Sequence, residues 1–259
     1  MELSRRDALR AGGGLLAAAA LSGCVEERVT RRETRVTDNS AWSLSTATED
    51  VALSATAFDN YTERMADRYG DSGVWGSDGD PGEEFETAYV QRYAIKRETP
   101  GSPTESEFDL VPDNVDPEAP MLVADSCVAL YRTDDGRHRY WLWAATDSTD
   151  SRLVRDVNVT EIAAGVRFRD APLDDAAVPS ALGDEATASL GTPPSASFPV
   201  RGGALDVTNI RDDMSVYGVE WGGELDGIQS VNGVCEVSHP GAYEFEWTMS
   251  LGYNFYETV

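Results

Sequence analysis

Two glutamates at alternate positions of one short segment are the first residues whose spacing could do chemistry. Tyr243-Glu244-Phe245-Glu246-Trp247 alternates without a break, so as a strand it would set Glu244 and Glu246 on one face, about 7 Å apart, with three aromatic rings on the other. Carboxylates near that separation serve glycoside hydrolysis as an acid paired with a base or nucleophile. Any half-buried strand of an acidic protein shows the same alternation, however, and no third group marks these two. Trp141 and Trp143 are also two apart. Exposed, they would form a stacking platform for a sugar or other planar ligand; buried, they would be core. Asp78-Gly79-Asp80-Pro81-Gly82-Glu83-Glu84 gathers oxygen ligands of the kind calcium prefers, without the ligand spacing and terminal glutamate of a calcium-binding loop. A solvated acidic loop is expected there. His138 and His239 are the only histidines, and neither falls in a Cys/His spacing used by zinc, so no metal is assigned.

Gly70-Asp71-Ser72-Gly73 resembles the nucleophile tetrad of trypsin-like serine proteases. Three departures stand against it: Val74 replaces the next glycine, no histidine precedes Ser72, and the segment follows a predicted helix. A serine nucleophile needs a base within hydrogen-bond reach and a group that orients the base. The segment is therefore expected to stop the helix and turn. No catalytic set is complete, and no cofactor is expected.

Location is written more plainly. Arg5-Arg6 precede a weakly apolar run from Ala11 to Leu21, which ends in Leu21-Ser22-Gly23-Cys24. The run is about half the ~20 residues needed to span a bilayer. It resembles a twin-arginine signal peptide ending in a lipobox, with Ala8 where the pattern usually carries phenylalanine. The resemblance implies removal of residues 1–23, export of a folded chain, and a thioether-linked lipid on Cys24 that holds the protein to the membrane from outside. It covers residues 1–24 and implies nothing about activity.

The 259 residues include 46 acidic and 21 basic side chains, for a formal charge of -25. Lys96 is the one lysine; arginine supplies the remaining basic side chains. That composition resembles proteins of salt-loving archaea. Carboxylates keep such a surface hydrated and self-repelling, and at about 1 M salt the Debye length shrinks to ~3 Å, so the repulsion is tolerable. Nucleic-acid binding is excluded as a class, because it needs a cationic face.

With Cys24 assigned to lipid, Cys127 and Cys235 remain as an even pair in an exported chain, and a disulfide between them is expected, two separate buried thiols being the alternative. Asn60-Tyr61-Thr62 and Asn158-Val159-Thr160 are glycosylation sequons. Asn60 lies in the predicted helix, which makes Asn158 the preferred acceptor.

The elements that must position these residues are mostly strands. Residues 24–48 read as a tether or a first edge strand, and 49–259 as a single β-rich domain. Phe58, Tyr61, Met65 and Tyr69 recur at helical spacing before Gly70, which predicts one principal helix. Strand character marks residues 87–96, 121–132, 137–146, 154–169, 205–210, 215–221, 230–237 and 242–256. Ten of the 12 prolines fall near 97–120 and 171–200, which read as long surface loops. The fold class is mainly β, an antiparallel sandwich or barrel with one helix, α+β being the alternative. Asp134-Asp135-Gly136 predicts a hairpin. With Asp135-Gly136 as a two-residue loop, Leu130 would face Trp141 and Val128 would face Trp143. Both faces are apolar, so the hairpin belongs in the centre, between another sheet and a cover for which the helix is the candidate. Together these features predict a lipid-anchored binding or accessory module outside the cell, with a structural envelope component or a carboxylate-using hydrolase as alternatives.

Overall fold

Period-two patterning over most of the chain becomes strands, each pairing antiparallel with its neighbours. The computed structural model describes residues 31–70, 84–95, 106–109, 122–148, 155–190, 195–211, 214–239 and 241–258. In chain order these form β1 (Arg31–Ser45), a 3-10 turn (Thr46–Val51), α1 (Ala55–Tyr69), β2 (Glu84–Ile95), β3 (Ser106–Asp109), β4 (Leu122–Arg132), β5 (His138–Asp147), β6 (Arg155–Arg169), β7 (Leu173–Ala176), β8 (Ser180–Leu182), β9 (Glu185–Ser189), β10 (Ser195–Pro199), β11 (Gly203–Ile210), β12 (Met214–Leu225), β13 (Ile228–Val237) and β14 (Glu244–Thr258).

A 5-stranded sheet, ordered β1-β14-β6-β12-β11, faces a 6-stranded sheet ordered β3-β2-β4-β5-β13-β7. Neither closes on itself, so the molecule is a sandwich rather than a barrel. Between the sheets lies the larger core, with Tyr89, Val128, Leu130, Tyr140 and Leu142 packed among Val166, Phe168, Tyr217, Phe245 and Trp247. β1 is the edge strand of the two alternatives for its segment, paired along its length with β14. It is tied across the sandwich as well: Gln91 Oε1 accepts from Ser40 Oγ at 2.6 Å and from Trp42 Nε1 at 2.8 Å, while Asp38 accepts from the phenols of Tyr93 and Tyr253.

The β4–β5 hairpin sits at the centre of the 6-stranded sheet with both faces buried, as its two apolar faces predict. One face meets the other sheet, and the other lies under α1, where Phe58, Tyr61, Met65 and Tyr69 cover Cys127, Ala129, Trp141 and Trp143. Ser54 caps the helix at its start by accepting from the Ala57 N–H. Gly70, at φ 86, donates its N–H to the Ala66 carbonyl, a positive-φ stop that glycine allows without strain.

The hairpin register departs from expectation by one residue. The loop has three residues, Asp134-Asp135-Gly136: the Gly136 N–H donates to Thr133 O at 2.9 Å and the Thr133 N–H to Arg137 O at 3.0 Å. Gly136, at φ 83, takes the left-handed position that such a loop requires. Trp141 therefore pairs with Ala129 and Trp143 with Cys127, in place of Leu130 and Val128.

The expected Cys127–Cys235 disulfide is not formed: both thiols are free and buried. Strand order and parity explain why. β5 intervenes between β4 and β13, which separates the two backbones by about 10 Å. Along β13, the position level with Cys127 is Asn232, three short of Cys235. Cys127 also faces α1 while Cys235 faces the other sheet. A disulfide needs Cα atoms within about 7 Å and converging Cβ vectors.

The proline-rich stretch near 171–200 is not wholly loop. It contains β7, which extends the 6-stranded sheet, and a separate 3-stranded sheet ordered β10-β9-β8. Short strands rich in alanine and serine lack the β-branched signal that propensity detects, and here packing overrides it: Ala186, Ala188 and Phe198 are buried.

Candidate functional site

The aromatic platform expected from Trp141 and Trp143 is closed. They are 1% and 2% exposed, and Trp143 meets the edges of Tyr61 and Tyr69 with ring centroids at 6.3 and 5.6 Å. Glu244 and Glu246 do share the outer face of β14, but Glu246 pairs with Arg167 at 2.9 Å on open sheet rather than in a cleft. Asn60 is exposed on α1. Asn158, the preferred acceptor, is half-buried in β6 with its amide donating to Glu224 at 2.9 Å. Arg5, Arg6, Cys24, Ser72 and the acidic loop from Asp78 to Glu83 lie outside the described residues.

What the fold assembles, and the sequence concealed, is the meeting of the two histidines. His138 opens β5 and pairs in register with Arg132 of β4 and Val237 of β13. Because β13 runs antiparallel to β5, the chain leaving Val237 passes His138, and His239 arrives beside it. The rings meet edge to face with centroids 5.1 Å apart.

Aromatic side chains surround the pair. His138 lies against Tyr243, and His239 against Phe168 and Tyr140. The Tyr140 hydroxyl lies 2.6 Å from His239 Nε2. Burial holds the Tyr140 phenol undissociated well above its ordinary range, so it donates, and His239 accepts as the neutral ring. Burial, then the charge of His138, lowers the His239 pKa from 6.5 to about 4. His138 Nε2 lies 3.0 Å from Glu86 Oε2, and Glu86 Oε1 takes a hydrogen bond from Arg132 at 2.9 Å. The His138 pKa is also lowered, by burial first, with Glu86 opposing and Arg132 reinforcing. Its Nδ1 is buried without a hydrogen-bond partner among the described residues. At neutral pH both rings are therefore uncharged, and the cluster can accept protons. The described residues include no group of three or more His, Cys, Asp or Glu placed to hold a metal.

Two further polar clusters lie elsewhere in the fold. Asp125, on β4 beneath the end of α1, is 0% exposed and accepts from Arg92 Nε at 2.8 Å, Tyr69 OH at 2.7 Å and Arg68 at 3.3 Å. This is a buried ion cluster clamping α1 to the sheet. On the outer face of the 5-stranded sheet, Gly165 and Gly218 pair across β6 and β12 to floor a shallow groove flanked by Thr208, Thr248, Asp206 and Glu220. Burial, with Glu161 and Asp206 nearby, raises the Glu220 pKa.

The strand directions define two poles. Ser45, Arg132, His138, Val237 and Glu244 mark the histidine pole, while Arg31, Leu122, Asp147, Ile228 and Thr258 mark the opposite one. Compared with protein-family models, with curated proteins and with solved structures, the chain gives no match in any of the three.

Proposed function

We propose that the mature chain is an extracytoplasmic lipoprotein, exported by the twin-arginine route, anchored by a lipid on Cys24, and acting as a non-enzymatic binding or accessory module. The observation that carries this reading is the ordered succession of Arg5-Arg6, the apolar run and Leu21-Ser22-Gly23-Cys24. Geometry gives it a physical consequence. β1 begins at Arg31, seven positions after Cys24, so a lipid there would tether the start of β1 within about 25 Å of the bilayer. The 15 residues of β1 then separate the poles by roughly 50 Å. The histidine pole would point away from the membrane, with the outer sheet face and its acidic groove flanking it. The acid-rich, lysine-poor surface suits a salt-dense surrounding.

Within this reading an accessory role is favoured over a sugar-binding one, because the tryptophans are packed in the core. The hydrolase alternative loses support from the ion pair that Glu246 makes on open sheet. Fractionation of expressing cells tests the reading. Wild-type protein should sediment with membranes, Cys24→Ser should appear in the soluble fraction, and replacing Arg5 and Arg6 with lysine should block export. Retention of Cys24→Ser in membranes after a salt wash would overturn the lipid anchor.

A further inference from the structure

We propose that His138 and His239 form an acid-sensitive latch, which closes the pole between the two sheets while both rings are neutral and releases the β13–β14 connection when they take up protons. The latch stands on geometry and does not rest on the membrane reading.

Both rings stop the open end of the inter-sheet core, where β5 begins, β13 ends and β14 begins. The neutral form of His239 satisfies its contacts here. His239 presents an unprotonated nitrogen to the Tyr140 hydroxyl and ring edges to Phe168 and His138. A protonated His239 would lose that acceptor, so the phenol would have to turn away or find another partner. Two charged rings with centroids 5.1 Å apart would also repel. The charged groups around them are unequally placed. Glu86 of β2 and Arg132 of β4 face His138 and oppose one another. Among the described residues, His239 faces His138 and the phenol of Tyr140, with no carboxylate acting on it. Asp174 of β7 holds the adjacent Ser238 hydroxyl at 2.6 Å, and the Tyr89 and Tyr243 phenols bond each other at 2.9 Å. His239 is therefore the less compensated charge, and it sits on the connection rather than in a strand. Release should stay local, because Val128 and Leu142, paired with each other further along the hairpin from His138, and Ala124 beyond them remain clamped in the core between the sheets.

Hydrogen exchange of the full-length chain tests this. After correction for intrinsic chemistry, amides at Val237–His239 and Tyr243–Phe245 should exchange about tenfold faster at pH 5 than at pH 7, while those at Ala124 and Val128 keep their protection. His239→Gln retains an acceptor for Tyr140 but cannot titrate in this range, and should bring the ratio near one. An unchanged wild-type ratio overturns the proposal. So does an accelerated ratio that persists in the His138→Gln/His239→Gln double variant, since carboxylates would then carry the effect. The wild-type chain supplies an independent measurement, as its 2 histidines give two imidazole Cε1–H signals. Both should titrate below the ordinary histidine range. Either one titrating at the ordinary value of about 6.5 overturns the latch.

Discussion

Asp125 shows what a single buried charge does in this molecule. It is fully enclosed and tied to Arg68, Arg92 and Tyr69, so truncation would strand two guanidinium groups at the edge of the core. Asp125→Ala should cost about 3–5 kcal/mol in denaturant unfolding; a loss under about 1 kcal/mol would show that water already screens the cluster. For His239 the direction of pH dependence follows from its lowered pKa. The unfolded chain takes up the proton near 6.5 and the folded chain near 4, so the stability from this group is complete above about 6.5, falls as pH drops towards 4, and changes no further below. Equilibrium unfolding from pH 7.5 to 4 should show that fall in wild type, and His239→Gln should flatten part of it. Buried thiols follow similar logic. Burial raises both the Cys127 and Cys235 pKa values, so neither should react with iodoacetamide in the native state, and labelling at the unfolding rate would agree. Legibility at this scale was uneven. Glycine at 70 and 136 announced positive-φ stops, whereas the histidine pair depends on β13 lying next to β5, which no local pattern in either segment encodes.

At the scale of elements, periodicity carried far. Phe58, Tyr61, Met65 and Tyr69 predict the buried stripe of α1, and all four are buried in the structure. The apolar character of both hairpin faces predicts a central position between a sheet and a helix. Pairing was less legible, because an Asp-Asp-Gly sequence suits either a two- or a three-residue loop, and one residue in loop length changes every cross-strand partner. The disulfide expectation failed for a related reason: even cysteine count says nothing about parity or the strand between. β7 to β10 went unread because short, small-residue strands are held by the packing of Ala186, Ala188 and Phe198 rather than by propensity. Two substitutions measure how α1 is held. Trp143→Ala, which removes the ring between Tyr61 and Tyr69, should cost about 3–5 kcal/mol. Ser54→Ala removes the N-cap acceptor and should cost about 1 kcal/mol. Equal losses would contradict this ranking, since the cap would then hold the helix as firmly as the aromatic face does.

The whole molecule joins an acidic exterior to a sandwich whose central sheet is buried on both faces. With a formal charge of -25, self-repulsion opposes the compact state until salt screens it. The unfolding midpoint should therefore rise between about 0.1 M and 1 M salt, over which the Debye length falls from about 10 Å to 3 Å; a flat or falling midpoint in calorimetry would contradict that account. The proposed anchor carries an orientation with it through chain direction: a lipid on Cys24 would set the start of β1 towards the bilayer and the histidine pole away from it. Everything in that arrangement depends on the lipid. The direct measurement is the intact mass of the protein extracted from membranes, with peptide mapping of its N-terminus. The account predicts a chain beginning at Cys24 and carrying the mass of a thioether-linked lipid there. A chain that retains Met1, or a Cys24 with a free thiol, would contradict it.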